Sequence, residues 1–227
     1  MEITDVTPDI RMLRFPVGQA YAVRLPDGCA LVDCGWAGHE RQILDALRGL
    51  GELREILITH GHADHYGAAA GLAEATGARV LAHAADAPAI SGTETIPPPV
   101  LADWERPLHA AHTPQVPPPR PVPVDREVAD GDALDWGQEA RIVHVPGHTA
   151  GSVALHLPSL RALFTGDSIA NVRQLMPGVF NVDPGETARS FHRQAALDVE
   201  TACFGHGDPI RTGAGAALRA AAAQLCP

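Results

Sequence analysis

The sequence predicts an α+β protein in which two β-sheets pack face to face with helices on their outer surfaces. Three observations carry this: short apolar runs separated by turn residues recur in both halves of the chain, each half passes from strands to helices, and a proline-rich stretch divides the halves. With 227 residues, 45% of them hydrophobic, the chain has material for one substantial core, so a single domain over residues 1–227 is expected.

The elements follow in order. Arg11–Phe15, Tyr21–Leu25 and, after the turn Pro26-Asp27-Gly28, Cys29–Asp33 are apolar runs bounded by turn formers and predict consecutive antiparallel strands. From Glu40 to Leu50, Ile43, Leu44, Leu47 and Leu50 recur at helical spacing, and Gly51 is placed to end that helix. A strand at Ile56–Thr59 leads into a histidine-rich run, then an alanine-rich helix ending near Gly77, then a strand at Arg79–His83. Residues 97–123 hold ten of the chain's 20 prolines, a density that predicts neither helix nor sheet. This loop carries Trp104, His109 and His112, and it either connects the halves over the surface or covers an active site. Strands resume at Val122–Val128, Ala140–Val145, Ser152–Leu157 and Ala162–Thr165. Helices are predicted over Pro184–Leu197 and from Gly213 to the end, the last one alanine-rich and suited to close packing on a sheet.

Composition narrows the function. The 17 Lys+Arg against 27 Asp+Glu leave a formal charge of −10, which supplies no cationic field for a phosphate backbone, so no nucleic-acid partner is expected. Met1–Asp5 is acidic where a secretory signal is basic, and no apolar run approaches the roughly 20 residues of a membrane span. The expectation is a soluble, cytoplasmic protein with a small-molecule substrate and no membrane partner. Cysteines 29, 34, 203 and 226 show no Cys-x-x-Cys spacing and are expected to be reduced and mostly buried. Cys34 and Cys203 stand near candidate site residues, but small buried hydrophobe is the usual state of a free thiol.

The chemistry concentrates in Thr59-His60-Gly61-His62-Ala63-Asp64-His65. His60 and His62 are two apart, so a loop backbone can aim both imidazoles at one point. Asp64 and His65 lie where the chain turns into a helix and can aim at a neighbouring point. Imidazole nitrogen and carboxylate oxygen at about 2.0–2.2 Å are ordinary zinc ligands. Downstream, His148, Asp167 and His206 each follow an apolar strand in a glycine-marked loop: Pro146-Gly147-His148-Thr149, Gly166-Asp167-Ser168 and Gly205-His206-Gly207-Asp208. Ligands at strand ends converge on one sheet edge, where glycine permits close backbone approach.

The run His60-x-His62-x-Asp64-His65, the distant His148, Asp167 and His206, and Asp33 closing Leu31-Val32-Asp33-Cys34-Gly35 resemble the five ordered motifs of the metallo-β-lactamase superfamily, over residues 33–206. The resemblance implies a four-layer αββα sandwich with the site at the edge between the sheets. It implies two Zn²⁺ per chain, one on His60, His62 and His148, the other on Asp64, His65 and His206, with Asp167 bridging them. Asp33 matches a buried aspartate that supports the ligand loop from behind. His-dominated ligation suits zinc best among the available metals.

Two zinc ions can hold a hydroxide near neutral pH while polarising the substrate oxygen. Asp64 is the catalytic candidate, able to orient that nucleophile and take up its proton. No Gly-x-Ser-x-Gly elbow occurs, so a serine triad has no evident nucleophile. The expected reaction is hydrolysis of a small-molecule thioester, as in the glyoxalase II branch, a lactone, as in the lactonase branch, or a similar carboxylic ester. β-Lactam hydrolysis is disfavoured by the absent signal sequence, and the nuclease branches by the lack of a basic face. Two alternatives stay open: an iron-dependent persulfide dioxygenase-like oxidoreductase of the same fold, using one iron, and a non-catalytic zinc-binding protein. Tyr66, His109, His112, Arg173 and Met176 are candidate substrate-pocket residues. Oligomeric state leaves no signal in the sequence.

Overall fold

A computed structural model describes residues 1–225. The first sheet contains β1 (Glu2–Thr7), β2 (Ile10–Arg14), β3 (Gln19–Leu25), β4 (Gly28–Val32), β5 (Leu53–Leu57), β6 (Arg79–His83) and β7 (Arg126–Val128), in sequence order across the sheet. Strands β1 to β4 are antiparallel, as tight turns such as Pro26-Asp27 require. From β4 onward the pairing is parallel, because helices carry the chain back over one face. These crossovers include α1 (Glu40–Ala46), α2 (Ala63–Tyr66) and α3 (Ala69–Thr76); α4 (Ala87–Ile90) and α5 (Glu105–His112) follow β6. The second sheet has β8 (Arg141–His144), β9 (Val153–Leu157), β10 (Ala162–Phe164) and β13 (Thr201–Cys203), ordered β13-β10-β9-β8. A hairpin of β11 (Ile169–Asn171) and β12 (Leu175–Pro177) and the helix α6 (Pro184–Ala195) lie between β10 and β13, and α7 (Ala214–Ala222) follows.

Side chains alternate across a strand, and here each face has its own partner. Leu31, Ile56 and Val80 point to the outer layer with Ile43 of α1 and Leu72 of α3. Their neighbours Val32, Leu57 and Leu81 point inward and meet Leu155 and Phe164 of the second sheet. On the far side, Ala154 and Leu163 pack with Phe191 of α6 and Leu218 of α7. Strands buried on both faces explain why these segments read as unbroken apolar runs. The result is the expected αββα sandwich.

Several elements differ from expectation. The proline-rich segment contains α5, because Pro107 is the third helical residue, where the missing N–H is not needed. β7 starts at Arg126 rather than Val122, after Pro121 and Pro123. The predicted alanine-rich helix is split into α2 and α3; α3 ends at Thr76, and Gly77 (φ 74°) closes it by donating to Ala73 O. β1 and the β11–β12 hairpin have no counterpart among the predicted strands; in β1 only Val6 is buried. α7 stops at Ala222, and Cys226 lies outside the described residues. Among the described residues no helix is long and apolar enough to cross a membrane.

Candidate metal centre

The site forms where β4 and β5 end side by side, with Val32 paired to Leu57. Asp33 follows immediately in a left-handed conformation (φ 58°), which aspartate tolerates better than most residues. Its N–H donates to Leu57 O at 2.8 Å, and its buried carboxylate accepts the Thr59 N–H, the Thr59 hydroxyl and His65 Nδ1, each at 2.8 Å. The Thr59 hydroxyl has one proton and gives it to Asp33. It must therefore accept from His60 Nδ1, 3.0 Å away. His60 is fixed as the Nδ1–H tautomer, with its Nε2 lone pair directed elsewhere, and His65 is held with a proton on Nδ1.

His148 is treated the same way by the other half of the molecule. It follows β8, and its Nδ1 donates to Asn181 Oδ1 at 3.3 Å. Its Nε2 meets His62 Nδ1 at 2.9 Å. Asp167, after β10, places Oδ1 3.4 Å from His65 Nε2 and Oδ2 3.1 Å from His206 Nε2 and 3.7 Å from His148 Nε2. Asp64 Oδ2 lies 3.5 Å from His65 Nε2 and 3.4 Å from His206 Nε2. Gly205 makes this approach possible, since a Cβ there would sit 1.9 Å from Asp167 Oδ1.

Among the described residues, three groups of side chains thus offer ligand atoms within 4.8 Å of one another: His60 with His62 and His148, Asp64 with His65 and His206, and His60 with His65 and Asp167. Donors about 2.0–2.1 Å from a tetrahedral ion stand about 3.3 Å from each other, the scale of the separations seen here. His60 Nε2, His65 Nε2 and Asp167 Oδ1 are buried with no hydrogen-bond partner, although buried polar atoms are rarely left so. A cation shared by imidazoles and a carboxylate satisfies all three, so the residues fit a metal centre.

The electrostatics divide the histidines. Burial holds His60 well below the usual imidazole range, lowers His62, and brings His148 down to about 4. Burial acts on His65 and His206 too, but Asp167 and Asp64 outweigh it; His65 is raised well above its ordinary value and His206 to about 10. In return, against their own burial, the carboxyls of Asp64 and Asp167 are held well below the usual range by His65 and His206.

One buried acid was not anticipated. Asp86, 1% exposed, stands between β6 and α4 and accepts the Gly61 N–H at 2.8 Å, the Thr149 hydroxyl at 2.7 Å and the Gly151 N–H at 2.8 Å. It has no histidine-like signature and joins neighbours 25 to 65 positions away, so local spacing holds no sign of it. Glu105 is a second such case. Its carboxylate accepts the N–H groups of Ala102 and Phe180, while the Val100 N–H donates to Asn181 O. The proline-rich segment is therefore fastened to the loop that orients His148.

The pocket candidates scatter. Tyr66 packs in the outer-layer core with Trp36 and Phe15. His109 is half-buried with its ring edge-on to Phe180, and His112 is exposed. Arg173 and Met176 sit on the β11–β12 hairpin, where the Asn171 N–H donates to His206 O. Cys29, Cys34 and Cys203 are free and buried, and none joins a metal group; burial pushes the Cys34 and Cys203 thiols up.

Comparison with known proteins agrees with this geometry. The family described as the metallo-beta-lactamase superfamily matches residues 13–206, and the chain belongs to it. A hydroxyacylglutathione hydrolase of Rhodobacter capsulatus is 36% identical over 157 residues, covering 68% of this chain and 48% of that protein. A second, from Cereibacter sphaeroides, is 34% identical and covers 78% and 56%. The chain thus spans about half the length of these relatives. The probable metallo-hydrolase YflN of Bacillus subtilis is 28% identical over 227 residues, covering 87% of this chain and 83% of that one. Among solved structures, the subclass B3 metallo-β-lactamase BJP-1 of Bradyrhizobium japonicum superposes with TM-score 0.72 at 20% identity, over 99% of this chain and 90% of that one. TTHA1623, solved in a di-iron-bound form, gives TM-score 0.62 at 30% identity, over 86% and 91%.

Proposed function

We propose that this chain is a two-metal hydrolase of a small-molecule thioester, lactone or similar carboxylic ester, with zinc as its metal. The observation that carries the reading is the pairing of two complete ligand groups, His60–His62–His148 and Asp64–His65–His206, on either side of Asp167. In this reading the first group holds one metal, the second holds the other, and Asp167 lies between them. When bound, the metals supply Lewis acidity that activates water and polarises the acyl oxygen.

The remaining work falls to the chain itself. Asp33 fixes the tautomer of His65 directly and of His60 through Thr59, and Asn181 does so for His148. In this reading Asp64 Oδ2, 16% exposed as a side chain and facing His65 and His206, orients the attacking water and accepts its proton. The relatives named hydroxyacylglutathione hydrolase put thioesters first among substrates to try.

A one-iron dioxygenase reading needs only two histidines and an aspartate, leaving the second ligand group without employment. The di-iron form of TTHA1623 favours two metals while making iron the competitor to zinc. Metal analysis of the purified chain, paired with a screen over thioesters, lactones, phosphodiesters and β-lactams, tests the proposal. It predicts about two zinc per chain and loss of activity in Asp64→Ala and His148→Ala. An active metal-free enzyme, or one iron with oxygen uptake on a persulfide, overturns it.

A further inference from the structure

The first ligand group is assembled from loops belonging to different sheets. His60 and His62 follow β5 of the first sheet, and His148 follows β8 of the second. His60 and His148 are aimed by Thr59 and Asn181, but the only side-chain hydrogen bond of His62 among the described residues is the inward one to His148. The aim of His62 therefore depends on its backbone, which begins at the Gly61 peptide.

Asp86 holds that peptide. One carboxylate oxygen takes the Gly61 N–H and the Thr149 hydroxyl, and the other takes the Gly151 N–H. Gly61 separates the two histidines of one loop, and Thr149 adjoins the histidine of the other. The fork is closely built: a Cβ on Gly151 would lie 2.6 Å from Asp86 Oδ1. A carboxylate buried on neutral donors alone is costly unless every acceptor is met, and here three donors meet it.

We propose that Asp86 is a positioning residue that sets the distance between His60–His62 and His148, and so specifically holds the first metal-binding group. The assignment rests on the two-metal reading above. Asp86→Asn is the informative substitution, because the amide keeps an acceptor for Gly151 but turns an N–H₂ toward the Gly61 N–H, setting donor against donor. Thr149→Val removes one strand of the fork and is the milder companion should Asp86→Asn fold poorly.

The test is zinc affinity by competition with a chromogenic chelator in two backgrounds, each leaving one ligand group intact. In His206→Ala, where the first group remains, adding Asp86→Asn is expected to weaken zinc binding about 10- to 100-fold, with Thr149→Val a smaller step in the same direction. In His148→Ala, where the second group remains, the same additions are expected to change affinity less than about two-fold. Equal weakening in both backgrounds makes Asp86 a general structural residue and overturns the assignment, as does no weakening in either. Failure of the underlying reading shows separately: the wild-type chain then takes up fewer than two zinc ions before any substitution at Asp86.

Discussion

The two side-chain groups of the candidate metal centre are held in opposite electrostatic ways. In the half formed by His60, His62 and His148, burial keeps the imidazoles neutral, and their support comes from neutral hydrogen bonds and two buried carboxylates behind the loops. In the half formed by Asp64, His65 and His206, the two raised imidazoles face the depressed carboxylates of Asp64 and Asp167, so the charges balance when no metal is present. The difference separates two tasks. At neutral pH the first half presents neutral imidazoles, whereas those of the second hold their protons.

Removing one ligand from each half gives the largest effects. His148→Ala and His206→Ala are both expected to lower kcat/KM by at least about 10²–10³-fold, the scale on which loss of charge stabilisation in an active site acts. They should differ in the metal-free state. His206→Ala strips Asp64 and Asp167 of a counter-charge and should lower the metal-free Tm by more than His148→Ala, measured by calorimetry after chelation. Equal losses of Tm would erase the distinction between the halves.

A pH series on the metal-free chain sharpens the contrast. A histidine raised to about 10, as His206 is, stabilises the fold fully below its unfolded value near 6.5, and that contribution is lost as pH rises toward about 10. A histidine depressed to about 4, as His148 is, contributes above 6.5 and loses that contribution as pH falls toward about 4. Metal-free Tm is therefore expected to fall on both sides of pH 6.5, with His206→Gln reducing the alkaline limb most and leaving the part that the raised His65 supplies. Saturating zinc should raise Tm across the neutral range, since a ligand bound only by the folded state adds about 4 kcal/mol at a thousand times its Kd.

The two supporting acids also show what a sequence can disclose. Asp33 was legible because Leu31-Val32-Asp33-Cys34-Gly35 resembles a motif of the superfamily, and its partners Thr59 and His65 belong to one short run. The ligands were legible because each sits at a strand end, and strand ends share an edge. Asp86 carries no such signal, and neither does the link from Glu105 to Phe180, because these partners are backbone N–H groups and a hydroxyl brought near only by the fold. Helix α5 was hidden by proline density, which says how much backbone N–H is missing but not whether the missing one falls in a first turn.

The smallest expected effect lies furthest from the metals, in the link between the proline-rich segment and His148. Glu105 accepts the Phe180 N–H, and Phe180 sits in a left-handed conformation (φ 60°) that a bulky residue adopts only when held there. The next residue, Asn181, orients His148. Glu105→Ala leaves the Ala102 and Phe180 N–H groups without their acceptor, at a cost of about 1–3 kcal/mol for each that stays buried. If the link matters only for stability, Tm falls and kcat is unchanged. The expected result is a fall in Tm together with a few-fold loss in kcat, while Asn181→Ala loses about ten-fold in kcat with a comparable fall in Tm, because it removes the partner of His148 itself and the donor to Gly178 O. A greater kcat loss in Glu105→Ala than in Asn181→Ala would mean that the segment acts on the site by a route other than His148.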